Sequence, residues 1–355
     1  MSFSFGFSGD DIDTESDPPP SNAAQNVSST TNPESTMPPP LPARTHDLDD
    51  LLATLPDKIS WSMFETTSPR GHTARLPRRE LFDVRLQLMA EDDGTTQNPL
   101  SGLDSTDLLP NTYEGGYKTW ECSTDLVRFL LDRGPRKDLD DLVRVNHVVE
   151  LGCGSALPSL LLFQYALRNA LVGMYFSLTD YNGDVLRLVT VPNLVLAWAG
   201  AVGEGCFGGI GGKEGDGEGE FYITPDVLAR FKSTLATLGI TLTLLSGSWT
   251  PIPTLLSLIP SSPDLNTFIL GSETIYSPAS LTAFTEAISE LMKRVKSGKA
   301  VVAAKRVYFG VGGSVDGFRG ECAGRGCVAY EVEFEGLGDG GDGGVRRCLV
   351  EVQMY

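Results

Sequence analysis

Two rhythms of apolar residues run through the chain. In the first, Val145, Val148, Val149 and Leu151 form a short, nearly continuous apolar run around the acid Glu150, which suits a strand buried on both faces of a parallel sheet. Gly152 and Gly154 follow, and they let the backbone turn and approach a ligand where a Cβ would collide. In the second rhythm, residues 156–169 are apolar enough for a buried helix. Ser155 can cap that helix, and Pro158 is tolerated in its first turn, where amides lack helical partners. Strand, glycine turn and helix make the plan of a nucleotide site, although such turns also occur without any ligand.

The same alternation continues downstream. Strands are expected at residues 174–179, 241–245, from Thr267 onward, and at 299–307. Helices are expected at 124–132, at 184–198 with a bend at Pro192, at 225–238, and at 280–296, which is amphipathic. Residues 328–334 and 345–352 alternate apolar and polar around the run GLGDGGDGG, which predicts a C-terminal antiparallel hairpin. Residues 81–89 (LFDVRLQLM) alternate as well and read as a strand. Five strands alternating with helices, closed by a hairpin, give an α/β fold.

Three stretches stand outside that scheme. Residues 1–45 hold PPP twice and several Ser/Thr/Asn tracts, with too few apolar groups to offset the entropy of ordering, and read as a disordered tail. The alternation of Phe3, Phe5 and Phe7 leaves open an added edge strand or a groove contact. Residues 46–123 read as an arm, beginning with a short helix in HDLDDLLATLPDKISW, that packs on the main domain, residues 124–355. Residues 203–220 (GEGCFGGIGGKEGDGEGE) are acidic, lack a packing pattern and read as a solvated insertion.

Charge and cysteine usage narrow the function classes. A formal net charge of -18 over 355 residues argues against a nucleic-acid grip through phosphates and favours a basic protein partner. The six cysteines are scattered without the paired spacing of a zinc site, and two lie in candidate ligand segments, so reduced thiols are expected. No apolar run reaches the length of a membrane span, and the N-terminus lacks the basic region and long apolar core of a signal peptide.

Several residues carry candidate chemistry. Asp180 ends the second strand, where an acid can accept two ribose hydroxyls while Tyr181 and Asn182 frame a base; an Asx turn is the plain alternative. Trp249 follows the third strand as a ligand wall or as filling between helix and sheet. Tyr117 and Trp120 either close over a ligand or are ordinary core aromatics.

ELGCGS followed by TDYN resembles the cofactor loop of class I S-adenosylmethionine (AdoMet) methyltransferases. Together GGYKTWECS, VVELGCGS, TDYN, ILGSETIY and KRVYFGVGG occur in the order and spacing of the protein-histidine N-methyltransferases of the methyltransferase-like group. The resemblance covers roughly residues 45–355 and departs at Ala156, where a third glycine is usual. It implies a seven-stranded class I, Rossmann-like sheet with helices on both faces and a C-terminal hairpin, AdoMet as cofactor, and no metal. It also implies methylation of a histidine in a basic large-subunit ribosomal protein, the third by the family's known target. Reduced thiols suit a protein of cytoplasm and nucleus, and nothing in the sequence demands more than a monomer.

By resemblance, Thr119, Trp120, Glu121, Cys122 and Ser123 close over the cofactor, and Glu150, Gly152 and Gly154 lie by its methionine end. Asp180 binds the ribose hydroxyls beside Tyr181 and Asn182, while Gly247, Ser248 and Trp249 surround the adenine. Ser272 completes the cofactor set. Glu273 orients the imidazole, and Tyr276 with Tyr308 walls the transfer pocket; a methyl on a sulfonium is already electrophilic, so positioning and water exclusion suffice. His46, His72 and His147 are not needed as bases. Two rival readings share these features: a protein-lysine methyltransferase of the same superfamily, and a non-catalytic, chaperone-like binder of a basic ribosomal protein.

Overall fold

The computed structural model describes residues 40–92, 115–133, 145–202, 217–337 and 345–355. The Phe-rich N-terminus, Cys206 with most of the glycine-rich insertion, and much of the C-terminal hairpin turn lie outside these residues.

The chain opens with β1 (Arg44–His46) and α1 (Leu48–Ala53), whose N-cap Asp47 accepts hydrogen bonds from the Asp49 and Asp50 amides. β1 reaches back across residue 45, where the disordered tail was expected to end. β2 (Lys58–Thr67) and β3 (Thr73–Arg79) pair antiparallel. α2 (Leu81–Glu91) then corrects the expected strand. Its apolar residues fit both periods, but Leu81, Val84 and Leu88 share the i, i+3, i+7 face that packs on Tyr117, Val185 and Leu188. Phe82, Leu86 and Met89 point outward, so packing decides for the helix.

α3 (Glu121–Arg133), β4 (His147–Leu151), α4 (Leu157–Arg168) and β5 (Tyr175–Asp180) follow. Next, α5 (Gly183–Val185), a π-helical turn (Leu186–Thr190) and α6 (Val191–Val202) run on as one stretch of 20 residues. It is long and apolar enough to cross a membrane, contrary to expectation, yet it is mostly buried as a core helix. Pro192 cannot donate to the Leu188 carbonyl four residues earlier. The buried Arg79 guanidinium donates to that carbonyl at 3.0 Å.

β6 (Glu218–Tyr222) pairs with β2, so the end of the expected insertion is a strand of a second, three-stranded sheet ordered β3-β2-β6. The remaining elements are α7 (Pro225–Leu238), β7 (Thr241–Ser246), α8 (Ile252–Leu258), β8 (Thr267–Ser272), α9 (Pro278–Lys293), β9 (Gly298–Lys305), α10 (Val315–Gly324), β10 (Cys327–Val332) and β11 (Arg347–Met354). β2, β3, α8 and α10 had no counterpart in the sequence pattern.

The main sheet has the order β1-β7-β5-β4-β8-β9-β11-β10. β7, β5, β4, β8 and β9 are parallel, and β11 lies antiparallel between β9 and β10. The sheet has eight strands where seven were expected, and β1 lies antiparallel along β7. Successive residues face opposite layers: Val148, Phe268 and Leu270 meet α3, α4, α6 and α7, while Val149, Leu151 and Ile269 meet α8, α9 and α10. Both faces are therefore covered, which is why β4 reads as continuously apolar.

Candidate active site

The carboxyl ends of β5, β4, β8 and β9 meet along one edge of the sheet. From β4 the chain continues outward to β5 and β7 on one side, then returns to β8 and β9 on the other. The reversal opens a crevice at the end of β4, the position at which open α/β sheets bind ligands. Gly152 (φ 70°) and Gly154 (φ 51°) turn there in the left-handed region. A Cβ on Gly152 would lie 3.1 Å from Thr274 Cγ2, and one on Gly154 would lie 3.0 Å from the Gly116 carbonyl oxygen. Ala156 also has positive φ (58°), which for an L-residue costs about 1–2 kcal/mol.

Two buried carboxyls brace this turn. Glu150 Oε2 accepts the Ser159 amide at 3.0 Å, in the first turn of α4. Glu150 thus serves the helix end that Ser155 was expected to cap; residue 156 is the N-cap, with no side-chain capping bond. Glu150 Oε1 is buried without a hydrogen-bond partner among the described residues. Burial pushes this carboxyl up to about 8. Asp180 Oδ2 accepts the Gly154 amide and Oδ1 the Asn182 amide, each at 3.0 Å. Burial outweighs those bonds and pushes Asp180 up to about 7.

The segment from Gly115 to Cys122 crosses directly above. Asn182 Nδ2 donates to the Gly115 carbonyl at 2.9 Å, and a Cβ on Gly116 would sit 3.2 Å from Asp180 Oδ2. Thr119 Oγ1 donates to Ser155 Oγ and accepts from Arg78, both at 3.1 Å. The aromatic segment, the glycine turn and Asp180 are therefore one assembly. Ser123 is buried in α3, and its amide bonds to the Trp120 carbonyl.

Glu273 follows Ser272 at the end of β8, held in the left-handed region (φ 57°). A non-glycine residue kept there is strained, a pattern concentrated at functional sites. Its amide donates to the Ala303 carbonyl of β9 at 3.0 Å. Burial raises the Tyr308 hydroxyl and the Cys122 thiol, and the neighbouring Glu273 carboxylate raises both further through its charge and through side-chain hydrogen bonding with each. Lys305 Nζ lies 3.6 Å from Glu273 Oε1 and 3.6 Å from Glu121 Oε2. The same ammonium stands 5.2 Å from the centre of the Trp120 ring. Glu273 Oε1 is buried and has no hydrogen-bond partner among the described residues. Tyr276 is half-buried, and it is its backbone that the neighbouring contacts hold: Gly313 donates to its carbonyl at 2.9 Å. A Cβ on Gly313 would collide with the Ile275 and Tyr276 backbone, so the glycine-rich loop 308–314 lies against this segment.

At the other end of this edge lie Tyr181, Gly247, Ser248 and Trp249, the residues that the resemblance sets around adenine and the ribose. The Gly247 amide donates to the Asp180 and Tyr181 carbonyls, and the Ser248 amide donates to the Leu41 carbonyl at 2.8 Å. Tyr181 Oη accepts the Leu41 amide at 3.1 Å. A Cβ on Gly247 would collide with Pro42, so residues 41–43 lie over Tyr181, Gly247 and Ser248. The Gly247 and Ser248 amides are thus bonded to the chain itself. Trp249 turns inward: its indole N–H donates to Thr179 Oγ1 at 3.2 Å and its ring packs on Phe284. Its edge reaches the glycine turn, 3.7 Å from where a Gly152 Cβ would stand.

Lys305 and the covering residues 41–43 are the parts of the site that the sequence reading missed. A lysine ending an apolar strand was a readable signal for the first; nothing local signals the second. The histidines lie outside the cluster. His147 is buried on β4 against Ser177 Oγ at 2.8 Å, and burial pushes it down to about 4. His46 meets Ser246 Oγ at 2.7 Å. No group of three or more His, Cys, Asp or Glu side chains suited to a metal occurs among the described residues.

These features fit the cofactor that the resemblance implies. A glycine turn intolerant of side chains, an orphaned acidic oxygen at the end of β4 and a second acid at the end of β5 lie together at the strand ends. No protein-family model matches the chain. It is 37% identical over 344 residues to the Saccharomyces cerevisiae protein named Histidine protein methyltransferase 1, spanning 90% of this chain and 89% of the yeast protein. To the Schizosaccharomyces pombe protein of the same name it is 38% identical over 281 residues, spanning 78% and 76%. Among solved structures, a glycopeptide N-methyltransferase complexed with sinefungin aligns at a TM-score of 0.34 with 12% identity, covering 69% of this chain and 90% of that one. That similarity is too low to add to the topology already traced.

Proposed function

The chain belongs to the histidine protein methyltransferase 1 family, and from that membership we propose that it transfers a methyl group from S-adenosylmethionine to a histidine of a basic ribosomal protein, the third protein of the large subunit by family resemblance. When bound, AdoMet supplies a methyl already activated on a sulfonium. The chain's own residues would then bind, orient and exclude water. Glu150, the Gly152–Gly154 turn and Asp180 would hold the cofactor. Thr119 to Cys122 would cover it.

The observation that carries the reading is Glu273 Oε1, buried at the strand end without a hydrogen-bond partner among the described residues. An imidazole has one N–H and one lone-pair nitrogen. Donation of the N–H to Glu273 fixes the tautomer and leaves the other nitrogen as nucleophile. The Tyr308 hydroxyl and Cys122 thiol stay protonated beside it, so neither competes as a nucleophile. The net charge of -18 suits a basic partner. We place the protein as a monomer in cytoplasm and nucleus.

The test is transfer of labelled methyl from AdoMet to ribosomal proteins from cells lacking this chain, with the labelled residue located by mass spectrometry. Label on one histidine of a large-subunit protein is expected. Label on lysine would refute histidine specificity, and AdoMet binding without transfer would favour a chaperone-like binder. Glu273→Gln should lower the transfer rate by a factor of roughly 10–100, the worth of one hydrogen bond to a charged acceptor, with AdoMet affinity little changed. Equal loss of rate and affinity would remove Glu273 from the acceptor role.

A further inference from the structure

The transfer pocket carries its own cation. Two carboxylates, Glu273 and Glu121, converge with the Trp120 ring and Tyr308, a composition that would ordinarily attract an ammonium ion. Lys305 already occupies that position, 3.6 Å from each carboxylate and 5.2 Å from the Trp120 ring centre. Its backbone amide donates to Tyr308 Oη at 3.2 Å, which ties the end of β9 to the pocket wall. The neighbouring arginines are engaged elsewhere: Arg347, its cross-strand partner, with Asp125, and Arg306 with Glu331. Lys305 is therefore the cation that faces Glu273 in the described contacts.

We propose that Lys305 is a specificity-determining residue, filling the ammonium position of the pocket so that a neutral imidazole is accepted and a lysine side chain is refused. This rests on the histidine-transfer reading of the same pocket. An incoming lysine would set a second ammonium beside the first, and like charges at this range repel. A neutral imidazole brings no charge, and its N–H can donate to the open oxygen of Glu273. Lys305 holds Glu273 in ion-pair contact without taking up its Oε1 by a hydrogen bond, because 3.6 Å lies beyond normal hydrogen-bond length.

The experiment compares the full-length wild type, Lys305→Met and Lys305→Arg. The probes are n-butylammonium and imidazole, titrated against tryptophan fluorescence with S-adenosylhomocysteine present. n-Butylammonium should bind Lys305→Met at least tenfold more tightly than wild type, imidazole should change less, and Lys305→Arg should keep the wild-type preference. Unaltered amine-to-imidazole selectivity in a Lys305→Met protein of wild-type thermal midpoint would overturn the proposal. If Lys305→Met does not fold, Lys305→Arg decides alone: a preference switched to the amine despite the retained charge overturns it, and a retained preference supports it. A second readout uses the labelled ribosomal protein and its version with the acceptor histidine replaced by lysine. Lys305→Met should lower histidine-over-lysine discrimination at least tenfold, and a parallel loss on both would refute the role. Absence of any histidine label with the wild type would instead sink the function, while the small-molecule titration still judges the pocket.

Discussion

Replacing Asp180 by asparagine tests the electrostatic reading of the crevice most directly. Asp180 is buried at the end of β5, and burial raises its carboxyl from an ordinary 3.8 to about 7. A group that binds its proton more tightly when folded favours the fold fully below its unfolded value. That advantage is lost as pH rises from about 4 through 7. Integrated between pH 5 and pH 8, the difference in proton binding is worth roughly 2–3 kcal/mol, at about 1.4 kcal/mol per pH unit. The amide side chain of the variant does not titrate. It also gives up one of the two acceptors for the Gly154 and Asn182 amides, a pH-independent loss of about 1 kcal/mol or more. Urea unfolding at both pH values separates the terms: Asp180→Asn should lie within about 1 kcal/mol of wild type at pH 5 and exceed it by roughly 2–3 kcal/mol at pH 8. Parallel curves for the two proteins would refute a raised Asp180. Binding of AdoMet should release a proton near pH 7 in the wild type, visible as a buffer-dependent calorimetric heat that the variant lacks.

Three further outcomes are expected. Glu150→Gln should raise stability near pH 6 by about 1–2 kcal/mol, because burial holds the native carboxyl protonated up to about 8 while the unfolded chain's ionises near 4.5, yet weaken AdoMet binding by tenfold or more, because a bound cationic cofactor draws the carboxyl into its anionic form; urea unfolding and calorimetry at fixed pH distinguish the two effects. Gly154→Ala should cost about 1–2 kcal/mol from its positive φ and weaken AdoMet binding, since its Cβ would press on the Gly116 carbonyl; unchanged affinity would separate that segment from the cofactor site. Arg79→Met should cost about 3 kcal/mol in urea unfolding, because Arg79 is buried against Asp83 at 2.7 Å and the Leu188 carbonyl at 3.0 Å; a change below ~1 kcal/mol would mean those partners find water.

Much of the molecule was legible in the chain. β4 and β8 are buried on both faces, so their middle residues are mostly apolar, and the acids and glycines toward their ends stood out against that background. Pro225–Leu238 is bounded by Thr224 and Pro225 at one end and Gly239 at the other, local signals that need no tertiary context. Residues 81–89 were not legible, because their apolar positions satisfy a strand and a helix alike. Only the contact of Val84 with Tyr117 and Val185 chose between them. The strand at Arg44–His46 was hidden for a related reason: an edge strand buries little, so its sequence keeps the composition of a tail.

The site divides along the same line. Local sequence determined the glycine turn, the acids at the strand ends and the aromatic segment, because backbone conformation and charge are properties of short stretches. Tertiary structure alone decided that Trp249 turns inward, that residues 41–43 cover the Gly247 and Ser248 backbone, and that Lys305 stands between Glu121 and Glu273. The partners could not be read locally, even where Lys305 itself stood out at a strand end, since the groups that meet are distant in the chain, as Leu41 is from Ser248 and Glu121 from Lys305. Only the parallel stacking of β4, β8 and β9 brings their ends to one edge, where charges can act on each other across a few ångströms.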